Sequence, residues 1–409
     1  MSVTPPFTCN HAGVCGGCSA IDQPYGEQLR AKQARLQETF ADTPSAVAAV
    51  RRADVFLPVD GLPDPPTHFR QKVSFVFGEV PGQRRVAMGH YQRGSRRIVP
   101  VVECPVHSER GNRIAFALYR RLAAAGIGAA GPMPRAVLRH LIIRTTADDR
   151  EAIAMLVVTR NDKALRGPVR ALLESPDAPD GMFINIHDEP GPYMVGPTTL
   201  RIAGRSHVRE TVGGVSYLIS PTAFFQTNVR AAHVLQAYVV GATPRTGPVL
   251  DLYCGSGMFA LPLAAAGVMV TGVEENRQAI ADAEVNARFN RISKARARFL
   301  ASRVEDAVGE LGAEHWNTVI LDPTRHGCAD AVLEAVFQEM APPNVIYVSC
   351  NPEALAAELP GIMACGYTLE DLRAVDMFPH TDHLEVVARL SKRAAGGQTS
   401  HAGSSHQLR

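Results

Sequence analysis

The spacing of apolar residues divides this chain into two differently patterned halves. Residues 69–102, FRQKVSFVFGEVPGQRRVAMGHYQRGSRRIVPVV, alternate apolar and polar positions around turn signals, which predicts antiparallel strands. Residues 112–126 predict a helix, and 151–158 and 182–187 predict further strands. Residues 213–239 run strand, loop, helix. Beyond them, short apolar runs alternate with helical stretches. Val249–Leu252 is a strand, Gly255 and Gly257 make a turn, and a helix carries Phe259, Leu261 and Leu263. A second strand, Val268–Val273, ends in Glu274–Glu275, which completes a βαβ unit. A third strand ends in Asp322–Pro323, and Val345–Ser349 reads as a buried strand ending at Cys350. Glu385 opens one more apolar strand. The pattern is that of an α/β protein without internal repeats.

Composition narrows the class. A length of 409 residues suffices for two domains with real cores, and 46% apolar content is that of a globular chain. No apolar run approaches the roughly 20 residues of a membrane span. The start, MSVTPPFTCNHAG, lacks the basic and apolar regions of a secretory signal, so a cytoplasmic location with no membrane partner is expected. Residues 394–409 are small and polar and predict a disordered tail. The net charge of +2 is unevenly spread. His68 to Arg144 holds 14 Lys and Arg against 3 Asp and Glu, a local +11 that leaves −9 for the rest. Such a segment suits a polyanion such as RNA, or forms a solvated arginine-rich face.

Three of the eight cysteines crowd the N-terminus in CNHAGVCGGC: Cys9, Cys15 and Cys18. A C-x₂-C pair lets two thiolates reach one centre, and Gly16 and Gly17 allow the backbone to turn tightly around it. Cys104, in VVECPVH, is the best fourth ligand. Four thiolates suit zinc or an iron–sulfur cluster, and disulfides do not suit a reducing cytosol. Three clustered ligands and a remote one before proline favour [4Fe–4S], since zinc usually takes two C-x₂-C-like pairs. His11 and His107 lie near the set and receive no role.

The loop DLYCGSG, residues 251–257, is not G-x-G-x-x-G. It is the pattern that S-adenosylmethionine methyltransferases show after their first strand, with a dinucleotide enzyme as the alternative. An acid at the end of the second strand, Glu274, suits two ribose hydroxyls, and Asp322 suits the adenine and transferred-methyl side. Phe224, Phe225 and Gln226 precede this unit. Taken alone, Cys350 in NVIYVSCNPEAL is either packing filler or a nucleophile.

With Cys9, Cys15, Cys18, Cys104, FFQTN, DLYCGSG, DPTRHG, SCNPEAL and DMFPHTDHLE in view, the chain resembles a known family. It is similar to the RNA 5-methyluridine methyltransferases, specifically the iron–sulfur branch that modifies 23S ribosomal RNA. The resemblance runs from residue 9 to about 392. Met258 and Thr324 stand where the family often has asparagine and proline or alanine, and the family often has an acid near Arg303. The stretch before Cys9 is too short for the extra RNA-binding barrel of some members, which also points to the ribosomal RNA members.

The resemblance implies a Rossmann-like class I methyltransferase domain over 216–392, preceded by an α+β RNA-binding domain over 31–215. Residues 1–30 with Cys104 would hold the [4Fe–4S] cluster, and 393–409 would be the tail. S-adenosyl-L-methionine would meet Gln226, Tyr253, Gly255, Glu274 and Asp322. Cys350 would add to carbon 6 of a uracil, so that carbon 5 can take the methyl group, and Glu385 would remove the carbon 5 proton, with His383 as a rival base. The expected partner is 23S ribosomal RNA presenting a single-stranded or flipped-out uridine, met by a monomer. A tRNA uracil-5-methyltransferase and a non-catalytic iron–sulfur RNA-binding protein are the alternatives.

Overall fold

The structure is a computed structural model, and it describes residues 9–52, 55–59, 62–79, 86–131, 135–189 and 194–393. The expected tail, 394–409, lies outside the described residues, as do residues 1–8. Among the described residues no helix is long and apolar enough to cross a membrane.

The first sheet is built from β1 (Lys72–Glu79), β2 (Val86–Tyr91), β3 (Ile98–Pro100), β4 (Gly128–Ala129), β5 (Ala136–Thr145), β6 (Ala152–Val158), β7 (Gly181–Ile186) and β8 (Thr198–Gly204). Its order is β3-β2-β1-β5-β6-β7-β8, with β4 beside β5. The alternating 69–102 segment forms β1 to β3 as expected, antiparallel throughout. β6 and β7 are parallel, joined by a crossover that contains the helix Arg166–Leu173. The helix expected at 112–126 spans Glu109–Ala124, because Ser108 caps it by accepting a bond from the Gly111 N–H at 3.1 Å. Its Ile114, Leu118 and Leu122 recur at one-turn spacing and pack on Val73, Phe75, Leu141 and Leu156 of the sheet.

A hairpin of β9 (Val208–Val212) and β10 (Val215–Ile219) leads, through a loop and the helix Val229–Ala242, to the second sheet. That sheet holds β11 (Val249–Leu252), β12 (Val270–Glu274), β13 (Ala297–Ala301), β14 (Thr318–Leu321), β15 (Asn344–Ser349), β16 (Tyr367–Val375) and β17 (Glu385–Lys392). The order is β13-β12-β11-β14-β15-β17-β16. The first five are parallel, and β17 inserts antiparallel between β15 and β16. β11, β14 and β15 are almost continuously apolar and buried, as strands covered by helices on both faces must be. β12 starts two residues later than the apolar run suggests, because the Val268 N–H still closes the preceding helix onto Leu263 O at 3.1 Å. Strand order reverses at β11, so a crevice opens at the carboxyl ends of β11 and β14. One apolar cluster runs from Ile142, Met155 and Phe183 to Phe259, Ile346 and Val387, and joins the two sheets.

Two helices, Tyr25–Thr39 and Pro44–Val50, fall mostly in the segment grouped by sequence with residues 31–215. Their Leu36, Phe40, Ala46 and Val50 instead pack into the core of the second sheet with Leu372 and Leu384. Buried Lys32 anchors the first of them. Its Nζ donates to Asp376 Oδ1 at 2.6 Å, to His383 O at 2.9 Å and to Phe378 O at 3.2 Å. This ammonium therefore ties down the loop that delivers Glu385 to the sheet. Lys32 and Asp376 are 5% and 3% exposed, so removing one leaves the other charged and dry. Lys32→Met should cost about 3–5 kcal/mol in denaturant unfolding, and adding Asp376→Leu should recover most of it. Equal stability of Lys32→Met and wild type would contradict this.

Candidate active site

Each predicted cofactor residue except Gln226 lies at or just after the carboxyl end of a strand in the second sheet. Glu274 closes β12, where its carboxylate accepts the Gly255 N–H at 3.3 Å and the Asn276 N–H at 2.9 Å. Gly255 has φ +53°, a left-handed conformation that lets the loop bring its amide to this carboxylate. Tyr253 also has positive φ, 64°, and its half-buried ring lies in the apolar cluster beneath the sheet end, beside Cys328. Asp251 is fully buried on β11. One of its oxygens accepts the Ala260 N–H at 3.0 Å, and the other, Oδ1, has no partner. Asp322 follows β14 and is half-buried. Burial raises both aspartic acids above the usual carboxylate range, and the charge of Glu274 adds to it. Gln226 is half-buried in the loop before the helix Val229–Ala242. That loop turns on Asn228, whose side chain accepts from Ala231 N–H at 3.1 Å and donates to Met377 O at 3.2 Å.

Sheet register brings the predicted nucleophile and base together. Ser349 of β15 faces Val386 of β17, and one step further along this antiparallel pair Cys350 comes level with Glu385. Asn351 then starts the helix Pro352–Ala364, so Cys350 sits just ahead of a helix N-terminus. The Asn351 side chain donates to Arg325 O at 2.8 Å, which fixes the loop after Asp322 against Cys350. Glu385 is 5% exposed, and burial, then Asp322, holds its carboxyl well above the ordinary range. Burial pushes the half-buried Cys350 thiol up to about 11, with Glu385 and Asp322 adding to the rise. The Arg325 guanidinium opposes both shifts. Glu274, Asp251, Asp322 and Glu385 thus form a row of carboxyls along one sheet edge, an environment made for a cationic ligand. His383 is exposed two residues before Glu385, and its carbonyl is held by Lys32.

The four predicted metal-ligating cysteines also converge. Cys9, Cys15, Cys18 and Cys104 are free thiols lining one cavity of about 350 Å³. Cys15 pairs with Gln92 beyond β2, and the Gly17 N–H points at Cys15 Sγ at 3.3 Å. Burial raises the Cys18 thiol to about 11 and Cys104 to about 12, and Arg70 works against both. The same cavity reaches Thr227, Phe378 and His383, so the cysteine segment and the loops beside the Cys350–Glu385 pair share one wall.

Several contributors were not picked out by sequence reasoning. Arg325 is one cation in a loop, and only its placement beside Cys350 and Glu385 gives it meaning. Its position three residues after the strand-end acid was the available signal. Lys32 carried no signal, because lysine in a polar helix normally marks solvent.

A parallel sheet with this switch point, an antiparallel strand inserted near one edge and acids at the ends of β11, β12 and β14 defines a Rossmann-like methyltransferase fold. The structure of the Pyrococcus abyssi tRNA (uracil-54, C5)-methyltransferase, solved with S-adenosyl-L-homocysteine, matches with a TM-score of 0.73 over 92% of this chain and 86% of that one, at 24% identity. The family model described as tRNA (Uracil-5-)-methyltransferase matches residues 199–393. A Gloeobacter violaceus protein named as an uncharacterized RNA methyltransferase is 34% identical over 94% of this chain and 82% of its own length. A Geobacter sulfurreducens protein of the same description is 32% identical over 94% and 77%. The chain belongs to the RNA uracil-5-methyltransferase family.

The raised thiol gives a sharp pH signature. Below its pKa the thiolate fraction grows tenfold per pH unit. Alkylation of Cys350 by iodoacetamide, followed by peptide mass spectrometry, should therefore climb steadily between pH 7 and 10 with no plateau, given a pKa of about 11. A plateau by pH 8 would show an activated thiolate and contradict the electrostatics described above.

Proposed function

We propose that this chain methylates carbon 5 of a uridine in 23S ribosomal RNA, with S-adenosyl-L-methionine as methyl donor. The observation that carries the reading is the placement of Cys350 level with Glu385 at the edge of the acidic crevice. A sulfonium bears a positive charge, which the row of carboxyls suits, and a ribose diol suits Glu274. S-adenosyl-L-methionine supplies the methyl group when bound. The chain's own residues do the rest. Cys350 gives its proton to solvent, its thiolate sulfur forms a bond to carbon 6, and the ring's double-bond electrons move towards carbon 5 and the neighbouring carbonyl. Carbon 5 then acts as the nucleophile in methyl transfer. Glu385 takes the carbon 5 proton, the ring double bond re-forms, and the carbon 6–sulfur bond breaks to release the thiolate. A buried carboxyl with a raised pKa suits this proton acceptor, and the Arg325 guanidinium opposes the upward shift of both Cys350 and Glu385.

The four thiols suit a [4Fe–4S] cluster. The donor set is all sulfur, and among the described residues no three of these thiols meet within 4.8 Å, a spread wider than one tetrahedral ion draws together. The cluster when bound supplies a cross-link between the 9–18 segment and the Cys104 turn. Arg93, which donates to Cys18 O at 2.9 Å, stands beside this segment with exposed Arg96 and Arg97. These arginines fit RNA phosphates, and the exposed ring of Tyr91 beside them fits a base.

The resemblance of the cysteine pattern, Cys9, Cys15, Cys18 and Cys104, to the iron–sulfur branch supports ribosomal over transfer RNA. The test is to incubate anaerobically purified protein, expected to hold roughly four irons per chain, with labelled methyl donor and both RNAs. Label should appear as 5-methyluridine in 23S ribosomal RNA, and Cys350→Ala should abolish it. Label in transfer RNA alone would replace the substrate assignment, and no label in either would favour a non-catalytic RNA-binding role.

A further inference from the structure

A second set of donors stands in the wall of the cysteine cavity. One ring nitrogen of His90, one of His107 and the Sγ of Cys104 all lie within 4.8 Å of one another. His90 comes from β2 and His107 from the turn after Cys104, and both line the cavity. Phe75 fixes the two rings: it stacks on His90 at 5.0 Å and 20°, and meets His107 edge-on at 5.0 Å and 80°. The two imidazoles stand nearly perpendicular, with centroids 5.1 Å apart. Each presents a buried nitrogen without a hydrogen-bond partner, Nε2 of His90 and Nδ1 of His107. His107 is 3% exposed, so no solvent satisfies its ring. Buried polar atoms nearly always have partners, and two orphaned imidazole nitrogens beside one thiol ask for a shared one.

We propose that His90, Cys104 and His107 form a site for a single divalent transition-metal ion of the zinc type, and that this ion competes with the four-thiolate cluster for Cys104. Metal–nitrogen and metal–sulfur bonds of about 2.0–2.3 Å set tetrahedral donors roughly 3.3–3.8 Å apart, which small ring rotations reach from the present arrangement. Imidazole nitrogen and thiolate sulfur are both zinc ligands, and water from the cavity completes a four-coordinate tetrahedron around three protein donors. On binding, the Cys104 thiol gives its proton to solvent and the sulfur bonds the ion. With the Cys104 sulfur drawn onto the ion, the cluster lacks its fourth thiolate, so in this proposal the chain holds either the ion or the cluster at Cys104. The proposal does not depend on the methyl-transfer reading; its competition half rests on the cluster reading, while Co²⁺ binding by His90, Cys104 and His107 is read independently of it.

The test uses Co²⁺ as a spectroscopic probe on full-length protein stripped of metal under reducing, anaerobic conditions. One equivalent should bind, giving the visible bands of tetrahedral cobalt and a sulfur-to-cobalt charge-transfer band. His90→Gln, His107→Gln and Cys104→Ser should each weaken binding by at least about tenfold, whereas Cys9→Ser and Cys15→Ser should leave it within about twofold. One equivalent of Zn²⁺ should block rebuilding of the iron–sulfur chromophore until a chelator removes it. Circular dichroism identifies any variant that fails to fold, and the wild-type spectrum, stoichiometry and zinc block then still decide the matter. The proposal is overturned if the wild-type protein binds no Co²⁺. It is equally overturned if binding follows Cys9 and Cys15 while folded histidine variants bind normally, or if zinc does not impede cluster assembly.

Discussion

The antiparallel pairing of β17 with β15 is the contact on which the site depends. A parallel strand at that position would present its carboxyl end beside Cys350 and carry its first residue to the far side of the sheet. Because β17 runs the other way, its first residue, Glu385, arrives at the edge where β15 delivers Cys350. Side chains alternate strictly along strands, so a slip of one residue would turn Glu385 to the opposite face. The register is held by apolar burial along both strands, and on the other side of β17 by β16, where Val375 faces Glu385. The loop between β16 and β17 is short of regular structure, and Lys32 and Gln28 from the first helix fasten it through Asp376, His383 and His380. The N-terminal helices are therefore part of the apparatus that places Glu385.

Charge is partitioned to match two kinds of ligand. The carboxyls Glu274, Asp251, Asp322 and Glu385 gather at the strand ends of the second sheet, while the surplus of arginines lies in residues 68–144. Placed together, these charges would cancel. Kept apart, they let one edge favour a cationic small molecule and another surface favour a polyanion. Where the two regions approach, around Cys350, the single guanidinium of Arg325 offsets the acids. Burial and the neighbouring acids raise both the Cys350 thiol and the Glu385 carboxyl, and a cation bound beside them would lower both.

Much of this was legible in sequence where a local pattern has one physical meaning. The strands β11, β14 and β15 announced themselves as apolar runs cut off by glycine, Asp–Pro and Cys–Asn–Pro, and the alternation in 69–102 gave β1 to β3. β5 was missed. It is buried along nearly its whole length on both faces, so apolar–polar alternation never appears, and Arg139, His140 and Arg144 interrupt the apolar run. The first helix was missed for the opposite reason: of its three buried residues two are Gln28 and Lys32, which read as solvent-facing. Cys9, Cys15, Cys18 and Cys104 could be grouped from spacing, but the tie between their cavity and the loops at Thr227 and His383 is made by the fold alone. His90 had no visible link to Cys104, because pairing of β1, β2 and β3 brings them together.

The most direct test of the central claim, that Cys350 and Glu385 act as nucleophile and base on one uracil, is to separate their steps. Glu385→Gln keeps the thiol and removes the proton acceptor. Incubated with the RNA substrate and labelled methyl donor, this variant should accumulate a protein–RNA species that carries the methyl label and survives denaturing electrophoresis. Digestion and mass spectrometry should place the RNA link on Cys350. Normal turnover by Glu385→Gln with no trapped species, or a link to any other residue, would contradict the account.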